Sequence, residues 1–146
     1  MVYFYFQLPK SLWEKFIAIL TFGRYCHVII RIGDYYYQAT LHKGVFRTTM
    51  LDYTHKYDLL KFEGHKETLE DYQAFLEKQL GKKYDVLGAF ATIIPVLRLK
   101  IFRWYWNDKW YCSELGQAAL MFYKKRKIIR VVSPQGLYNQ IKKLML

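Results

Sequence analysis

Cysteine, proline and glycine are all scarce in this chain of 146 residues, at two, three and eight. Two cysteines exclude a disulfide-stapled miniprotein. So little glycine and proline excludes collagen-like and low-complexity architectures. No glycine-rich phosphate loop is present, and no Gly-x-Ser-x-Gly nucleophile elbow. His42, His55 and His65 have no Cys-x-x-Cys or His-x-x-x-His partners, so the sequence calls for no metal site and no cofactor. Long hydrophobic runs are missing too. The longest uncharged interior run, residues 86–97, is twelve long, whereas a spanning helix needs roughly 20. The opening MVYFYFQLP lacks a basic segment, and no small-residue cleavage site follows it. The expectation is a soluble, cytoplasmic protein with no transmembrane segment and no export signal. Cys26 and Cys112 are then reduced and unpaired.

What is present is apolar and aromatic. Hydrophobic residues make up 53% of the chain, and ten Phe, four Trp and fourteen Tyr make up 19%. That excludes intrinsic disorder and supplies a core for one domain. Acidic residues are few: 12 against 23 Lys and Arg, a net charge of +11. The densest basic run is KKRK at 124–127, with Arg130 behind it and Lys142 and Lys143 near the end. It follows an apolar helical segment, where cations complement the helix C-terminus. The other reading is an anionic partner: nucleic acid, anionic lipid or an acidic polymer. No zinc-finger, helix-turn-helix or aromatic-basic sheet motif accompanies the charge, so no specific nucleic-acid motif is recognised.

Periodicity divides the chain. Residues 10–22 carry Leu12, Phe16, Ile19 and Leu20 at helical spacing behind a possible N-cap, Ser11. Residues 26–32, CHVIIRI, are β-branched. Gly33-Asp34 signals a turn, and 35–40, YYYQAT, is the return strand of a hairpin. Residues 44–50 and 57–62 read as further strands, closed by Gly64. Residues 66–80 form an amphipathic helix capped by Gly81. Residues 84–94 form a more buried helix that Pro95 ends or kinks. Residues 97–110, LRLKIFRWYWNDKW, read as a basic, aromatic loop or lid. Residues 112–123 form a buried helix and 128–132 a short apolar strand or connector. Ser133-Pro134 opens a last helix over 134–145. The expected fold is α+β, an antiparallel sheet packed against helices in a single domain. Residues 1–22 are a strand/helix extension, 23–62 a sheet bearing His27, and 66–146 a helical part bearing Cys112.

Cys112 opens a helix, where the dipole lowers a thiol pKa and backbone N–H groups can hold an oxyanion. Taken alone, a buried cysteine is usually inert packing. His27 starts a β-run; in an alternating strand it shares a face with Ile29, and Cys26 points the other way. Gln38 lies on the opposing arm of the hairpin, within reach of residues 27–29. It can hydrogen-bond the second imidazole nitrogen and so fix the tautomer. Tyr84 follows Gly81-Lys82-Lys83 and can donate its hydroxyl to an oxyanion. Glu114, two residues past Cys112, complements the helix dipole, with direct catalysis the lesser reading.

These pieces stand in a telling order: H-V-x-I-x-x-G-D at 27–34, Y-Q-A-T at 37–40, G-V at 44–45, K-Y-D at 83–85, Y-C-S-E-L at 111–115 and S-P-x-x-L-Y at 133–138. Together they resemble the circularly permuted NlpC-type papain-like cysteine hydrolases. That group includes YiiX-like proteins and is related to the lecithin:retinol acyltransferase-like enzymes. The chain looks like a small phage or bacterial version, and a phage version would work in the host cytoplasm. The resemblance spans residues 23–140. It implies a permuted papain-like fold in which the His strand precedes the Cys helix. Cys112 would be the nucleophile, His27 the base, Gln38 the polar third member and Tyr84 the tyrosine beside the thiolate. Relatives often carry Glu or His where this chain has Gln38.

The function expected from this set is a thiol hydrolase or acyltransferase, cleaving an amide or ester through an acyl-thioester on Cys112. Its substrate would be a cell-wall peptide or a lipid acyl group. The segment 97–110 would border the site, with Arg98, Arg103, Trp104 and Trp110 as substrate-binding residues. The alternative is a non-enzymatic basic binding protein that uses the same fold to engage nucleic acid, anionic membrane or a host protein.

Overall fold

The computed structural model describes residues 1–63, 66–91, 109–124 and 132–145. Strand β1 (Val2–Gln7) leads into helix α1 (Leu12–Leu20). Four strands follow: β2 (His27–Ile32), β3 (Tyr35–Thr40), β4 (Gly44–Thr48) and β5 (Tyr57–Phe62). Helix α2 (Lys66–Gln79), strand β6 (Lys83–Tyr84), helix α3 (Val86–Ala91), strand β7 (Lys109–Trp110) and helices α4 (Cys112–Lys124) and α5 (Pro134–Met145) complete the order. The class is α+β, with a five-stranded antiparallel sheet and helices. Residues 128–131 of the expected strand, the run at 125–127 with Arg130, Gly64, His65 and Pro95 lie outside the described residues.

The sheet runs β4-β3-β2-β1-β5. Residues 1–22 are therefore not an extension. β1 sits between β2 and β5, antiparallel to both, with Phe4 opposite Ile30 on one side and Leu60 on the other. The cause is the period-2 pattern V-Y-F-Y-F. Val2, Phe4 and Phe6 are sealed beneath the helices, and each fully buried large apolar side chain contributes roughly 1.5–3 kcal/mol. With Val28, Ile30, Tyr37 and Ala39 they meet Tyr72 and Leu76 of α2, Leu115 of α4 and Leu137 and Ile141 of α5. The opposite face is aromatic. Tyr5 meets Tyr36 and Tyr57 edge-on at 5.6 and 6.0 Å, and the Arg31 guanidinium lies over Tyr3 and Tyr36.

The helix starts follow their sequence signals. Ser11 caps α1: its hydroxyl accepts from Glu14 N–H (3.2 Å), and the Glu14 carboxylate accepts from Ser11 N–H (2.9 Å). Ser133 accepts from Gly136 N–H at the start of α5. Gly81 has φ +81 just past α2. The expected helical part also contains β6 and β7, which pair in parallel and set Tyr84 beside Trp110.

Gly44 fastens this small ribbon to the main sheet. Val45 N–H donates to Lys82 O (2.8 Å), and Gly81 N–H donates to Val45 O (2.9 Å). Gly44 has φ +66, and a Cβ there would overlap the Lys82 carbonyl; Gly33 has φ +58 with open space around it. Gly33→Ala should therefore cost only the backbone penalty, about 1 kcal/mol. Gly44→Ala should cost more, at least about 2 kcal/mol, because the Lys82–Tyr84 segment must also move. Urea denaturation of both variants checks this, and equal losses would refute the fastening role.

Candidate active site

The site forms where the first residue of β2 meets the first turn of α4. Tyr111 O accepts from Leu115 N–H (3.1 Å) to start the helix. The next turn is pinned from the side: Ser113 Oγ donates to Val132 O (2.6 Å), and Val132 N–H donates to the Tyr111 hydroxyl (3.2 Å). Tyr111, Ser113 and Glu114 are all buried, so the helix start cannot fray. Cys112 is thereby held against the end of the sheet.

His27 reaches it because the hairpin opens there. The β2–β3 ladder pairs Ile30 with Tyr37 and stops. Gln38 then stands one pleat from His27, and the two are joined through His27 Nε2 and Gln38 Oε1 (3.1 Å). A carbonyl oxygen accepts, so Nε2–H donates and Nδ1 is left for the sulfur. The imidazole acts on Cys112 both by charge and by a side-chain hydrogen bond.

Burial works against the Cys112 thiolate. The His27 charge, the His27 hydrogen bond and the backbone groups of Val28 and Ser113 outweigh it, and the thiol titrates below its ordinary range. Burial likewise works against the His27 imidazolium. Cys112, Gln38 and the more distant Glu14 overcome it and push His27 up. Each shift favours the thiolate–imidazolium ion pair over the neutral pair. Tyr84 completes it: burial, the Cys112 charge and a hydrogen bond with Cys112 raise its hydroxyl far above a free phenol. Tyr84 is thus a neutral donor aimed at the sulfur.

All four expected catalytic residues come together: His27 and Tyr84 meet Cys112, and Gln38 holds His27. Cys26 departs from expectation, because it lines the same cavity as His27. β2 begins at His27, so the pleat's alternation does not extend back to Cys26. Its thiol donates to Gln7 O (3.5 Å), and burial, with Glu14 and Cys112 adding to it, pushes its pKa up to about 12. Both cysteines are free.

Trp110 is not a wall of the cavity. Its indole N–H donates to Gln79 Oε1 (3.0 Å), and its ring packs edge-on against Phe75 at 5.6 Å. The cause is β7, which pairs with β6 and turns Trp110 toward α2 rather than toward the site. Arg98, Arg103 and Trp104 lie outside the described residues. The wall comes instead from α1, which sequence reasoning did not connect with the site. Trp13, Glu14, Phe16, Ile17 and Leu20 line a cavity of about 410 Å³ together with Cys112, His27 and Tyr84. Glu14 was findable: S-x-x-E at 11–14 pins its carboxylate on the Lys10 and Ser11 N–H groups (2.8 and 2.9 Å). It also accepts from Gln7 Nε2 (3.2 Å) and contacts His55 Nε2 (3.1 Å). Among the described residues no group of three or more His, Cys, Asp or Glu is placed to hold a metal ion, and no helix is long and apolar enough to cross a membrane.

The two thiols should differ sharply in reactivity. With the Cys112 pKa lowered, its thiolate persists as the pH falls below the ordinary thiol range of about 8.5, and is lost only through that depressed pKa. Cys26, pushed up to about 12, stays a thiol throughout. Iodoacetamide at pH 6 should modify one site, and peptide mapping should place it at Cys112. His27→Ala should move the Cys112 profile upward into the ordinary range. Equal labelling of both cysteines at pH 6 would refute the ion pair. Comparison of the chain with family models, curated proteins and solved structures finds no match.

Proposed function

We propose that the protein is a cysteine hydrolase or acyltransferase acting on an amide or ester, with the architecture of the permuted papain-like enzymes that its motif order resembles. The observation that carries the reading is the pairing of buried Cys112 with half-buried His27, each group moving the other toward its charged form. A structural cysteine in an apolar site is pushed up by burial, as Cys26 is; Cys112 goes the other way although it is the more deeply buried of the two.

The Cys112 thiolate attacks the carbonyl carbon, and a C–S bond forms as the carbonyl π pair moves to oxygen. N–H groups of the first turn of α4 and the Tyr84 hydroxyl are the nearest donors for that oxyanion. The tetrahedral species collapses, the C–N or C–O bond breaks, and the His27 imidazolium gives its proton to the leaving amine or alcohol. The acyl thioester remains on Cys112. Water, or an acceptor alcohol or amine, then attacks the thioester carbonyl, forming a new C–O or C–N bond as His27 takes its proton. The C–S bond breaks, releasing the acid or the transferred acyl product and restoring the thiolate. Gln38 keeps the imidazole in the tautomer this requires. Cell-wall peptides and lipid acyl groups are the two substrate classes that the motif resemblance supports.

The test needs no natural substrate. Incubation with 4-nitrophenyl butyrate should release nitrophenolate in a burst, and mass spectrometry should find one butyryl group on Cys112. Cys112→Ala should abolish both signals, and Tyr84→Phe should slow acylation by about 10²–10³. Gln38→Glu, which adds a charge beside the imidazole, should preserve or raise the rate. Acylation at the same rate in His27→Ala, or elsewhere than Cys112, would overturn the reading.

A further inference from the structure

The outer face of α1 is apolar and bare. Leu12 is 85% exposed, Trp13 66%, Phe16 48% and Ile19 71%, and Phe22, just past the helix end, is 82% exposed. Single exposed apolar residues are ordinary; a contiguous set on one short helix marks a contact surface.

Three observations say what covers it. Phe22 has φ +51, a left-handed position that disfavours any residue with a Cβ and that helices commonly fill with glycine. An aromatic ring there carries a backbone cost that no burial within the fold offsets. The face is also continuous with the cavity mouth, since Trp13 and Phe16 belong to both and Leu41 and Val86 form other parts of the lining. Finally, cations frame it. Lys10, Lys15 and Arg24 are exposed within and on either side of this segment, Arg24 at 3.7 Å from Asp58, and the one acid of α1, Glu14, is turned inward onto backbone N–H groups, Gln7 and His55.

We propose that α1 and Phe22 dock in the surface of an anionic lipid bilayer. Leu12, Trp13, Phe16, Ile19 and Phe22 lie at the acyl boundary, and Lys10, Lys15 and Arg24 lie at the phosphates. Trp and Phe on one side of a short helix with cations at its margins match the chemistry of an interfacial helix. A second copy of this chain is a worse partner, because a two-fold contact would set the same cations against each other on two bodies each carrying +11. Docked this way, the cavity mouth opens onto lipid. Its consequence for the substrate rests on the thiol reading above and narrows it: an acyl lipid would reach Cys112 from the bilayer.

Flotation with phosphatidylcholine vesicles, with and without phosphatidylglycerol, tests the docking. The full chain should float with the mixed vesicles and about tenfold less with phosphatidylcholine alone, and added salt should release it. Phe22→Gly removes the ring and relieves the backbone. It should leave the melting temperature equal or higher and weaken flotation by about tenfold. Adding Leu12→Ser and Ile19→Ser should abolish flotation. None of these three residues lines the cavity, so the pH profile of Cys112 alkylation should stay as in the wild type. Cys112→Ala should float normally, which keeps a failure of the chemistry distinct from a failure of docking. Wild-type protein that never floats, Phe22→Gly that floats as well as wild type, or a dimer by light scattering that the triple variant dissolves would each overturn the proposal.

Discussion

A thiol and an imidazole that favour each other's charged form, at a place where burial opposes both charges, are the constraint around which this molecule is arranged. Either charge alone at Cys112 or His27 would be costly, and the group would neutralise instead. Together they hold each other ionised, but only while sulfur and imidazole stay in contact. Contact depends on two elements far apart in sequence. β2 must sit deep enough in the sheet to be immobile, and the first turn of α4 must not fray. The first condition is met by β1, which flanks β2 along its whole length. The second is met by Ser113 and Tyr111, which tie the helix start to Val132 ahead of α5.

That dependence explains why residues remote from the sulfur hold its geometry. Gly116 lets α5 approach α4 closely: a Cβ there would meet the Leu137 side chain. The β6–β7 ribbon carries Tyr84 to the thiolate, and Asp85 holds its far side, donating its N–H to Trp110 O (3.0 Å) and accepting from Gly88 N–H (2.8 Å). Trp110 serves this ribbon rather than a substrate. Its indole is engaged by Gln79, and its carbonyl by Asp85.

Much of the fold was legible because its signals are local. Strands β2 to β5 follow alternation and the Gly33-Asp34 turn, and α2 and α5 follow their caps and amphipathic period. Cys112, His27, Gln38 and Tyr84 were legible through the order of their motifs. What was not legible is long-range. The alternation in residues 2–7 marks a strand with one buried face, but not that it enters the sheet between the second strand and the last, because antiparallel pairing partners are chosen by the whole core. The partnership of Trp110 with Gln79 and Phe75 depends on a two-residue parallel pairing, too short to leave a pattern. The orientation of Cys26 failed for a related reason: the alternation rule was carried one residue beyond the strand's end.

Glu14 shows how a capping residue can be drawn into a site. Its carboxylate is fixed by the α1 cap, and those backbone N–H groups hold it below the usual carboxylate range even though burial opposes its charge. From there it faces the cavity and adds, after Cys112 and Gln38, to the upward push on His27. Gln38, being neutral, orients the ring but brings no charge of its own. A carboxylate at position 38 would stabilise the imidazolium at short range, yet it would place a second buried anion beside the thiolate. The arrangement seen here divides the two tasks. Orientation comes from an uncharged amide at 3.1 Å, and part of the electrostatic support comes from a carboxylate that the helix cap already keeps ionised. Glu14 also opposes ionisation of Cys26. One fixed negative charge thus favours the imidazolium that Cys112 needs and disfavours a second thiolate in the same cavity.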